Sequence, residues 1–288
     1  MPNVTIAMVP RERFAVAGEV FQRLFDCTRI PFELVVVNCG IPDPYWQQIE
    51  AVIKGRKNVS VIRTDQYLLP NQAKNLVIQE SKADYLCLTE MDVLVDEDWL
   101  SFLIAACEEH PADVATPLII DAEGVHGDPH VSQVRRIRDA DGQPALEIQG
   151  RDTPKEHDRH AGRGPVVFLE DHCLLFRRDV FDRIGLLDEE LTARSQLDLS
   201  LRLFDANLTC VLEPRARVTY LAPSAIDPEE RAYYLFRWDP KRARKSEQRI
   251  RERWNIVDMP TAMRFVKRRV RIARDADVRE RWAALARR

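Results

Sequence analysis

Short apolar runs alternate with amphipathic stretches along the first 120 residues of the chain. The apolar runs predict buried strands at residues 4–9, 32–37, 59–62, 85–88 and 114–117. Apolar side chains at helical spacing predict helices between them, at residues 13–27, 46–53, 71–81 and 98–109. Strands that are continuously apolar and alternate with helices are typical of a parallel sheet covered on both faces. We therefore predict an α/β fold with a central, mostly parallel sheet flanked by helices.

The pattern changes in the second half of the chain. Residues 121–164 are polar and rich in Gly, Pro and charge, which predicts a loop excursion or a small hairpin over one face. Strands are predicted again at residues 166–169, 173–176, 209–212 and 217–220, with helices at 178–184 and 197–205. We divide the chain into a domain at residues 1–230 and a basic, helical C-terminal extension at residues 231–288.

Composition narrows the cellular setting. Of the 288 residues, 45% are hydrophobic. The N-terminus has no charged start followed by a long apolar run, and no run of 18 apolar residues occurs, so we expect neither a signal peptide nor a membrane span. Six cysteines lie scattered without C-x-x-C spacing, mostly among apolar residues, which indicates reduced, buried thiols and argues against a zinc site. We expect a cytoplasmic protein.

The formal charge is divided unevenly. The extension carries 19 Lys and Arg against 7 Asp and Glu, a balance of +12. Because the whole chain has a net charge of −3, the first 230 residues must carry −15. An apolar stripe made by Met263, Val266, Val270 and Ala273 runs beside basic residues. Such a helix can pack on the acidic domain, join a second subunit in a homodimer, or lie on an anionic membrane at the inner face. We favour packing, and we expect no nucleic-acid partner because no reading motif accompanies the charge.

An acidic pair marks the candidate site. Glu90 and Asp92 stand one residue apart, directly after the strand predicted at residues 85–88. Ligands of parallel α/β sheets bind at the carboxyl ends of strands. Two carboxylates there can share a divalent cation with a diphosphate, although acidic residues before a helix can also act only as caps.

Several motifs resemble those of the inverting family-two glycosyltransferases, which have the GT-A fold. The segment Asn71-Gln72-Ala73-Lys74-Asn75 is similar to that family's A-x-x-A-R-N helix start, and Tyr85 to Asp92 resembles its strand ending in D-x-D. Residues 173–181, followed by Gly185-Leu186-Leu187-Asp188-Glu189, resemble the acceptor-side signature. The resemblance spans roughly residues 4–222 and implies a GT-A fold and sugar transfer from a nucleotide donor.

The resemblance also implies roles for single residues. Those that would line the nucleoside pocket are Pro10, Arg11, Asn38 and Asp65. Lys74, or Asn75 beside it, would approach the diphosphate. Glu90 and Asp92 would hold the donor and a divalent cation, Mg²⁺ or Mn²⁺. Asn38 could instead fill a turn, and Lys74 could be a solvated helix residue.

The general base is the main departure from the family pattern. Gln196 stands where the family has its catalytic carboxylate, and an amide is not a useful base near neutral pH. Asp198 follows in the same helix start, and Glu170, Asp171 and His172 precede the acceptor-side strand. We favour Asp171 as the base, narrowly over Asp198. A second departure is Tyr220, which replaces the family's late metal-side histidine.

Two functions from different classes follow. The first is a glycosyltransferase, metal-assisted and inverting, that moves a sugar from a UDP-sugar or another nucleotide sugar to a hydroxyl of a glycan, a lipid-linked acceptor or a small molecule. The second is a catalytically decayed sugar-nucleotide-binding or interaction protein, suggested by Gln196. A nucleotidyltransferase is disfavoured because the N-terminal part lacks a glycine-rich phosphate loop.

Overall fold

The structure is a computed structural model, and it describes residues 3–121, 128–129, 133–149, 164–165 and 170–286. The first part of the chain alternates strands and helices as predicted. Its elements are β1 (Val4–Val9), α1 (Ala17–Cys27), β2 (Glu33–Asn38), α2 (Asp43–Ile53), β3 (Val59–Arg63), α3 (Pro70–Glu80), β4 (Tyr85–Glu90), β5 (Val93–Val95), α4 (Trp99–Glu109) and β6 (Val114–Asp121).

The second part is less regular. Its elements are β7 (Asp128–Pro129), β8 (Gln133–Arg138), β9 (Pro144–Gln149), β10 (Gly164–Pro165), β11 (Cys173–Arg177), α5 (Val180–Ile184), α6 (Ser195–Asp205), β12 (Cys210–Tyr220), α7 (Arg231–Arg237), α8 (Pro240–Trp254) and α9 (Met263–Ala286). A short 3₁₀ turn at Pro228–Glu230 precedes α7. The strand predicted at residues 166–169 lies outside the described residues.

A single mixed sheet organises the domain. Its order is β10-β12-β6-β11-β4-β1-β2-β3, with β5 paired to β12 and β7 paired to β6. Strands β3, β2, β1 and β4 are mutually parallel, whereas β11 runs antiparallel to both of its neighbours, β4 and β6. The predicted α/β fold with a mostly parallel sheet is confirmed.

The two faces of the sheet carry separate apolar cores. In β1, Ile6 and Met8 face the core that α1, α2 and α4 cover, while Ala7 and Val9 face the core beneath α3, α5 and α6. This division follows from the two-residue period of a strand, which sends successive side chains to opposite faces. Because both faces are covered, the strand sequences are apolar throughout.

Three features differ from the prediction or refine it. The strands predicted at residues 209–212 and 217–220 correspond to one strand, β12, which begins at Cys210, because both halves pair with β6 across a register shift between Glu213 and Arg217. Strand β5 was not predicted, because three residues are too few to show a strand pattern. Within the excursion at residues 121–164, β8 and β9 form an antiparallel hairpin.

The extension packs on the domain. Ile250, Ile256 and Met259 bury apolar surface against Leu197 and Leu201 of α6. A second cluster joins α7, α8 and α9 with Tyr234, Trp238, Ala243, Val266 and Ala273. Packing on the domain, the interpretation favoured from the charges, is what the structure shows, and the boundary at residue 230 stays a prediction.

Two expectations from composition can be compared with the structure. All six cysteines are free and buried, as their apolar surroundings predicted. No helix in the described ranges is long and apolar enough to cross a membrane.

Candidate functional site

The candidate site lies where β1, β4 and β11 bring their ends together. Val9 and Glu90 are partners in the parallel register of β1 and β4, so the turn after β1 lies beside the acidic pair. Strand β11 runs antiparallel to β4, with Cys173 opposite Thr89. Residues just before β11 therefore reach the same place, although they are about 80 positions away along the chain.

Glu90 is the centre of a buried cluster of charges. Its Oε1 accepts hydrogen bonds from Arg11 Nη1 at 2.8 Å and from Lys74 Nζ at 3.0 Å, and its Oε2 lies 3.0 Å from Nδ1 of His172. Burial alone would raise the pKa of Glu90 from 4.5, but Arg11 and Lys74, with His172, lower it to about 2. Glu90 is therefore ionised at neutral pH, and it holds two cations at the end of β4.

Asp171 shares both of these cations. Its Oδ1 accepts from Arg11 Nη1 at 3.1 Å, its backbone carbonyl accepts from Lys74 Nζ at 2.8 Å, and its Oδ2 accepts from Ser195 Oγ at 3.0 Å. Burial would raise the pKa of Asp171, but Lys74 and Arg11 hold it well below its ordinary value. Asp171 is thus an ionised carboxylate that already accepts a hydroxyl hydrogen bond, the contact expected of a base toward its acceptor.

Asp92, the second acid of the pair, has a contrasting environment. It is 0% exposed, and neither carboxylate oxygen has a hydrogen-bond partner in the described part of the protein. Burial raises the pKa of Asp92 well above its ordinary value, and the negative charges of Glu90 and Glu12 raise it further. Buried polar atoms normally have partners, so two unpaired oxygens of this kind indicate a place for a cation or a donor group.

Glu90 and Asp92 can be compared with the ligands that a divalent cation requires. Among the described residues, no three His, Cys, Asp or Glu side chains come together as a ready metal site. Asp92 offers two unpaired oxygens, while both oxygens of Glu90 already contact cations or His172. Mg²⁺ is often held by one or two carboxylates together with substrate phosphates, and Asp92 fits that limited role. The assignment of Glu90 as a metal ligand stays a prediction.

The residues predicted for the nucleoside pocket do not all join the cluster. Pro10 is buried after β1 next to Arg11, whereas Asp65 is exposed beyond β3. Asn38 Oδ1 accepts from the backbone N–H of Ile41 at 3.1 Å and so closes the turn after β2, the alternative role considered for it. In that turn Gly40 has φ +86°, and an added Cβ would lie 2.8 Å from the ring of Tyr67.

Asn75 and Asp198 are engaged away from Glu90. Asn75 donates to the carbonyl of Leu187 and to Glu189, and its Oδ1 accepts from Leu187 N, all at 2.9 Å. Asp198 Oδ1 accepts from Arg253 Nη1 at 2.8 Å and from Trp254 Nε1 at 2.9 Å. These contacts fix the loop at residues 187–189 and attach α8. Their roles in phosphate binding or proton transfer stay predictions.

Residues from the extension reach the site, and the sequence reasoning missed them. Trp238 Nε1 donates to Glu12 Oε2 at 2.6 Å, and Arg269 Nη2 lies 3.2 Å from the hydroxyl of Tyr220. Arg269 is 2% exposed, so this basic residue of α9 faces inward. Arg237 is buried as well. One signal could have revealed it, because Arg237 shares a helical face with Tyr233 and Tyr234.

Comparison with known proteins agrees with this architecture. The profile of the family described as glycosyl transferase family 2 matches residues 6–185, which is more than half of the chain. No curated protein sequence matches the chain.

Solved structures resemble the fold at low sequence identity. The crystal structure of GalNAc-T7 with UDP, GalNAc and Mn²⁺ is 15% identical with a TM-score of 0.59, covering 83% of this chain and 48% of that one. TarS 1–349 of S. aureus in complex with UDP-GlcNAc is 13% identical with a TM-score of 0.56, covering 84% and 66%. The chain therefore spans about half of the first protein and two thirds of the second. These likenesses show the GT-A fold.

Proposed function

Because this chain belongs to glycosyltransferase family 2, we propose that it transfers a sugar from a nucleotide-sugar donor, a UDP-sugar, to a hydroxyl acceptor. One observation carries the proposal. The buried cluster combines cations, Arg11 and Lys74, with a carboxylate, Asp92, whose two oxygens have no hydrogen-bond partner. A diphosphate accompanied by a divalent cation would satisfy both kinds of group. The related structures that contain UDP or UDP-GlcNAc support this choice of donor.

Arg11 and Lys74 would bind the diphosphate. Both are buried, and both now lie between Glu90 and Asp171. Hydrogen bonds from a guanidinium or an ammonium group to phosphate oxygens are charge-assisted and strengthen as negative charge develops on the leaving group. We infer that Glu90 keeps the two cations in position for that contact.

Asp92 would hold the divalent cation, Mg²⁺ or Mn²⁺, together with oxygens of the donor. Such an ion, when bound, neutralises the diphosphate as it departs. The ion would also relieve the repulsion that raises the pKa of Asp92 next to Glu90 and Glu12.

Asp171 is our proposed general base. The hydroxyl of Ser195 lies 3.0 Å from its Oδ2, so an acceptor hydroxyl can be held at that oxygen at proton-transfer distance. The pKa of Asp171 is low while Arg11 and Lys74 contact it. Once these cations turn to a diphosphate, the carboxylate loses stabilisation and becomes a stronger base. The deprotonated acceptor would then attack the anomeric carbon opposite the leaving diphosphate, which inverts its configuration.

A non-catalytic sugar-nucleotide-binding protein is the second candidate. Gln196 in the first turn of α6 favours it, since the family's base is replaced by an amide. The buried ion pairs of Asp171 favour it too, because a carboxylate held in its ionised form by two cations is a weak base.

The proposal also covers the cellular location, the acceptor and the partners of the exposed basic residues. We propose a cytoplasmic location from the six free, buried cysteines. The acceptor is a glycan, a lipid-linked molecule or a small molecule. A membrane surface or a second copy of the chain would contact basic residues of α9 that remain exposed, such as Lys267, Arg268 and Arg271.

A donor screen separates the two candidates. The purified chain is incubated with UDP-, GDP- and dTDP-sugars with Mg²⁺ or Mn²⁺, and released nucleoside diphosphate is measured beside calorimetric binding. We expect turnover of a UDP-sugar and its loss in Asp92→Ala, while Asp96→Ala, which removes a half-exposed carboxylate four residues away, retains activity. Tight UDP binding without turnover supports the binding protein. Neither binding nor turnover with any donor refutes both.

A further inference from the structure

The outer side of α9 carries a row of positive charges. Residues 259–274 contain six Lys and Arg and no Asp or Glu. Five of the six cations are exposed, and we call them the basic stripe: Arg264, Lys267, Arg268, Arg271 and Arg274. Residues three or four positions apart are neighbours on one side of a helix. The five side chains therefore form a single row along α9.

The sixth cation, Arg269, shows which way the basic stripe faces. Arg269 is 2% exposed, and its Nη2 lies 3.2 Å from the hydroxyl of Tyr220. An α-helix turns by about 100° per residue, so Lys267 and Arg271, two positions before and after Arg269, lie on the opposite side of α9. The basic stripe therefore faces away from the domain.

The basic stripe lacks counter-charges within the described ranges. Four of its residues make no ion pair there, namely Arg264, Lys267, Arg271 and Arg274. On α8, by contrast, Arg249 pairs with Asp188 at 2.6 Å. Like charges three or four residues apart destabilise a helix, and exposed helices usually relieve this repulsion with acidic residues at the same spacing. A row of cations without such relief indicates an anionic partner outside the chain.

An anionic lipid surface is the partner that fits. Residues 264–274 extend for about 15 Å along one side of α9, and such a straight row matches a flat surface. Long, exposed side chains without fixed partners suit mobile phosphate headgroups, because the attraction depends on charge and needs no fixed geometry. Phe265 is 39% exposed beside the stripe, and aromatic side chains of basic helices insert at the boundary between headgroups and acyl chains.

The charge of the rest of the chain determines the orientation at such a surface. The first 230 residues carry −15, whereas the extension carries +12. An anionic surface therefore attracts the extension and repels the domain. The inner side of α9 contacts Tyr220, whose ring stacks on that of His172 at 4.0 Å. Since a helix is about 10 Å across, docking through α9 would hold the candidate site close to the membrane.

We propose that the basic stripe docks the protein onto a membrane surface rich in anionic lipid. The inference names the membrane, and not a second copy of the chain, as the partner of the exposed basic residues of α9. It goes beyond sugar transfer, because docking requires no activity of the candidate site.

Cosedimentation with vesicles tests the proposal on the full chain. We expect binding to vesicles of equal parts phosphatidylglycerol and phosphatidylcholine, and none to vesicles of phosphatidylcholine alone. Raising the salt from about 0.1 M to about 1 M should abolish binding, because the Debye length falls from about 10 Å to about 3 Å. Replacing Arg264, Lys267 and Arg271 together by Gln should weaken binding roughly 100-fold, since each cation at an anionic surface contributes a factor of about five.

A triple variant of the domain is the matched control. Lys54→Gln, Lys57→Gln and Lys82→Gln together remove the same charge from exposed positions, and vesicle binding should be unchanged. The stripe variant should have an unchanged or higher Tm, because it removes repulsion between like charges. If it does not fold, amide hydrogen exchange of the wild type decides: anionic vesicles should slow exchange in α9, and unaffected exchange there overturns the proposal.

The other outcomes are equally decisive. Wild-type protein that binds both kinds of vesicle equally, or neither, overturns the inference, as does an equal loss of binding in the two triple variants. Tighter binding to an oligonucleotide than to anionic vesicles at the same phosphate concentration overturns it in favour of a nucleic acid. A wild-type dimer that the stripe variant cannot form overturns it in favour of a second copy. The donor screen is independent of vesicles, so failure of docking and failure of the proposed function are distinguishable.

Discussion

Replacing Asp92 by asparagine should stabilise the ligand-free protein and remove its response to a divalent cation. The carboxylate is completely buried, and both of its oxygens are without a hydrogen-bond partner among the described residues. Burial and the charges of Glu90 and Glu12 raise its pKa. The ionised form is therefore disfavoured in the native state, and a neutral side chain of the same shape relieves that cost.

The size of the effect follows from the burial. The asparagine amide is itself a buried polar group without a partner, so the substitution removes only the cost of the charge, which is about 1.4 kcal/mol for each unit by which the pKa is raised. We expect Asp92→Asn to gain about 1–3 kcal/mol at pH 7, and roughly 2–4 °C in Tm for each kcal/mol in a chain of this size. Because the pKa of Asp92 is raised in the folded state, the native protein holds its proton more tightly than the unfolded chain. The gain should therefore grow as the pH rises above 3.8 and be absent below it.

Thermal and denaturant unfolding between pH 4 and 8 measure the gain. Asp96→Asn is the control, since that carboxylate is half exposed and pairs with Arg23 and Arg217 at 3.6 and 3.9 Å. Weak surface pairs of this kind contribute less than about 1 kcal/mol. Adding UDP with Mn²⁺ should raise the Tm of the wild type and of Asp96→Asn, and raise that of Asp92→Asn much less.

Two results would refute this reasoning. A lower stability of Asp92→Asn at pH 7 would mean that the carboxylate has a stabilising partner in the native protein. An undiminished shift with UDP and Mn²⁺ would mean that Asp92 does not hold the cation.

Three further predictions test other parts of the site. Asn75→Ala should lower the free energy of unfolding by about 2–4 kcal/mol, because it removes three hydrogen bonds to Leu187 and Glu189, yet leave UDP affinity unchanged in calorimetry; weaker UDP binding in a folded variant would contradict this. Asp171→Asn should lower turnover by roughly 100-fold or more while UDP still binds. Asp198→Asn should mainly lower the Tm. The reverse pattern would make Asp198 the base. Glu90→Gln should lower the free energy of unfolding at pH 7 by about 3 kcal/mol, the equivalent of a pKa reduced from 4.5 to about 2. Since that pKa is depressed, the difference from wild type in acid-dependent denaturant unfolding should disappear as the pH falls from 4.5 towards 2, and a difference independent of pH would contradict the assignment.

Much of the fold could be predicted because its signals are local. The apolar runs at residues 4–9 and 85–88 correspond to β1 and β4, and a buried strand needs apolar side chains on both faces wherever it lies. The position of Glu90 at the end of β4 followed from the same pattern. Strand β12 was predicted as two pieces because Pro214 and the charged residues around it interrupt the apolar pattern, while the partner strand β6 carries the pairing across the register shift.

The partners that individual polar side chains contact could not be predicted in the same way. Asn75 follows Lys74 directly, yet Lys74 turns to Glu90 and Asn75 binds the backbone at Leu187. The helix places adjacent side chains about 100° apart, so only the packing of α3 determines which of them reaches the site.

The sequence by itself determined the order of strands and helices, the position of the acidic pair and the membership of a family. Only the tertiary structure decided which charges meet. Arg11 and Asp171 are 160 positions apart, and Glu12 and Trp238 are 226 positions apart. A hydrophobic pattern predicts which side chains of a strand or helix are buried. It contains no information about which polar side chain from a distant part of the chain will lie beside them. That partner is present only once the sheet has formed and the extension has packed on the domain.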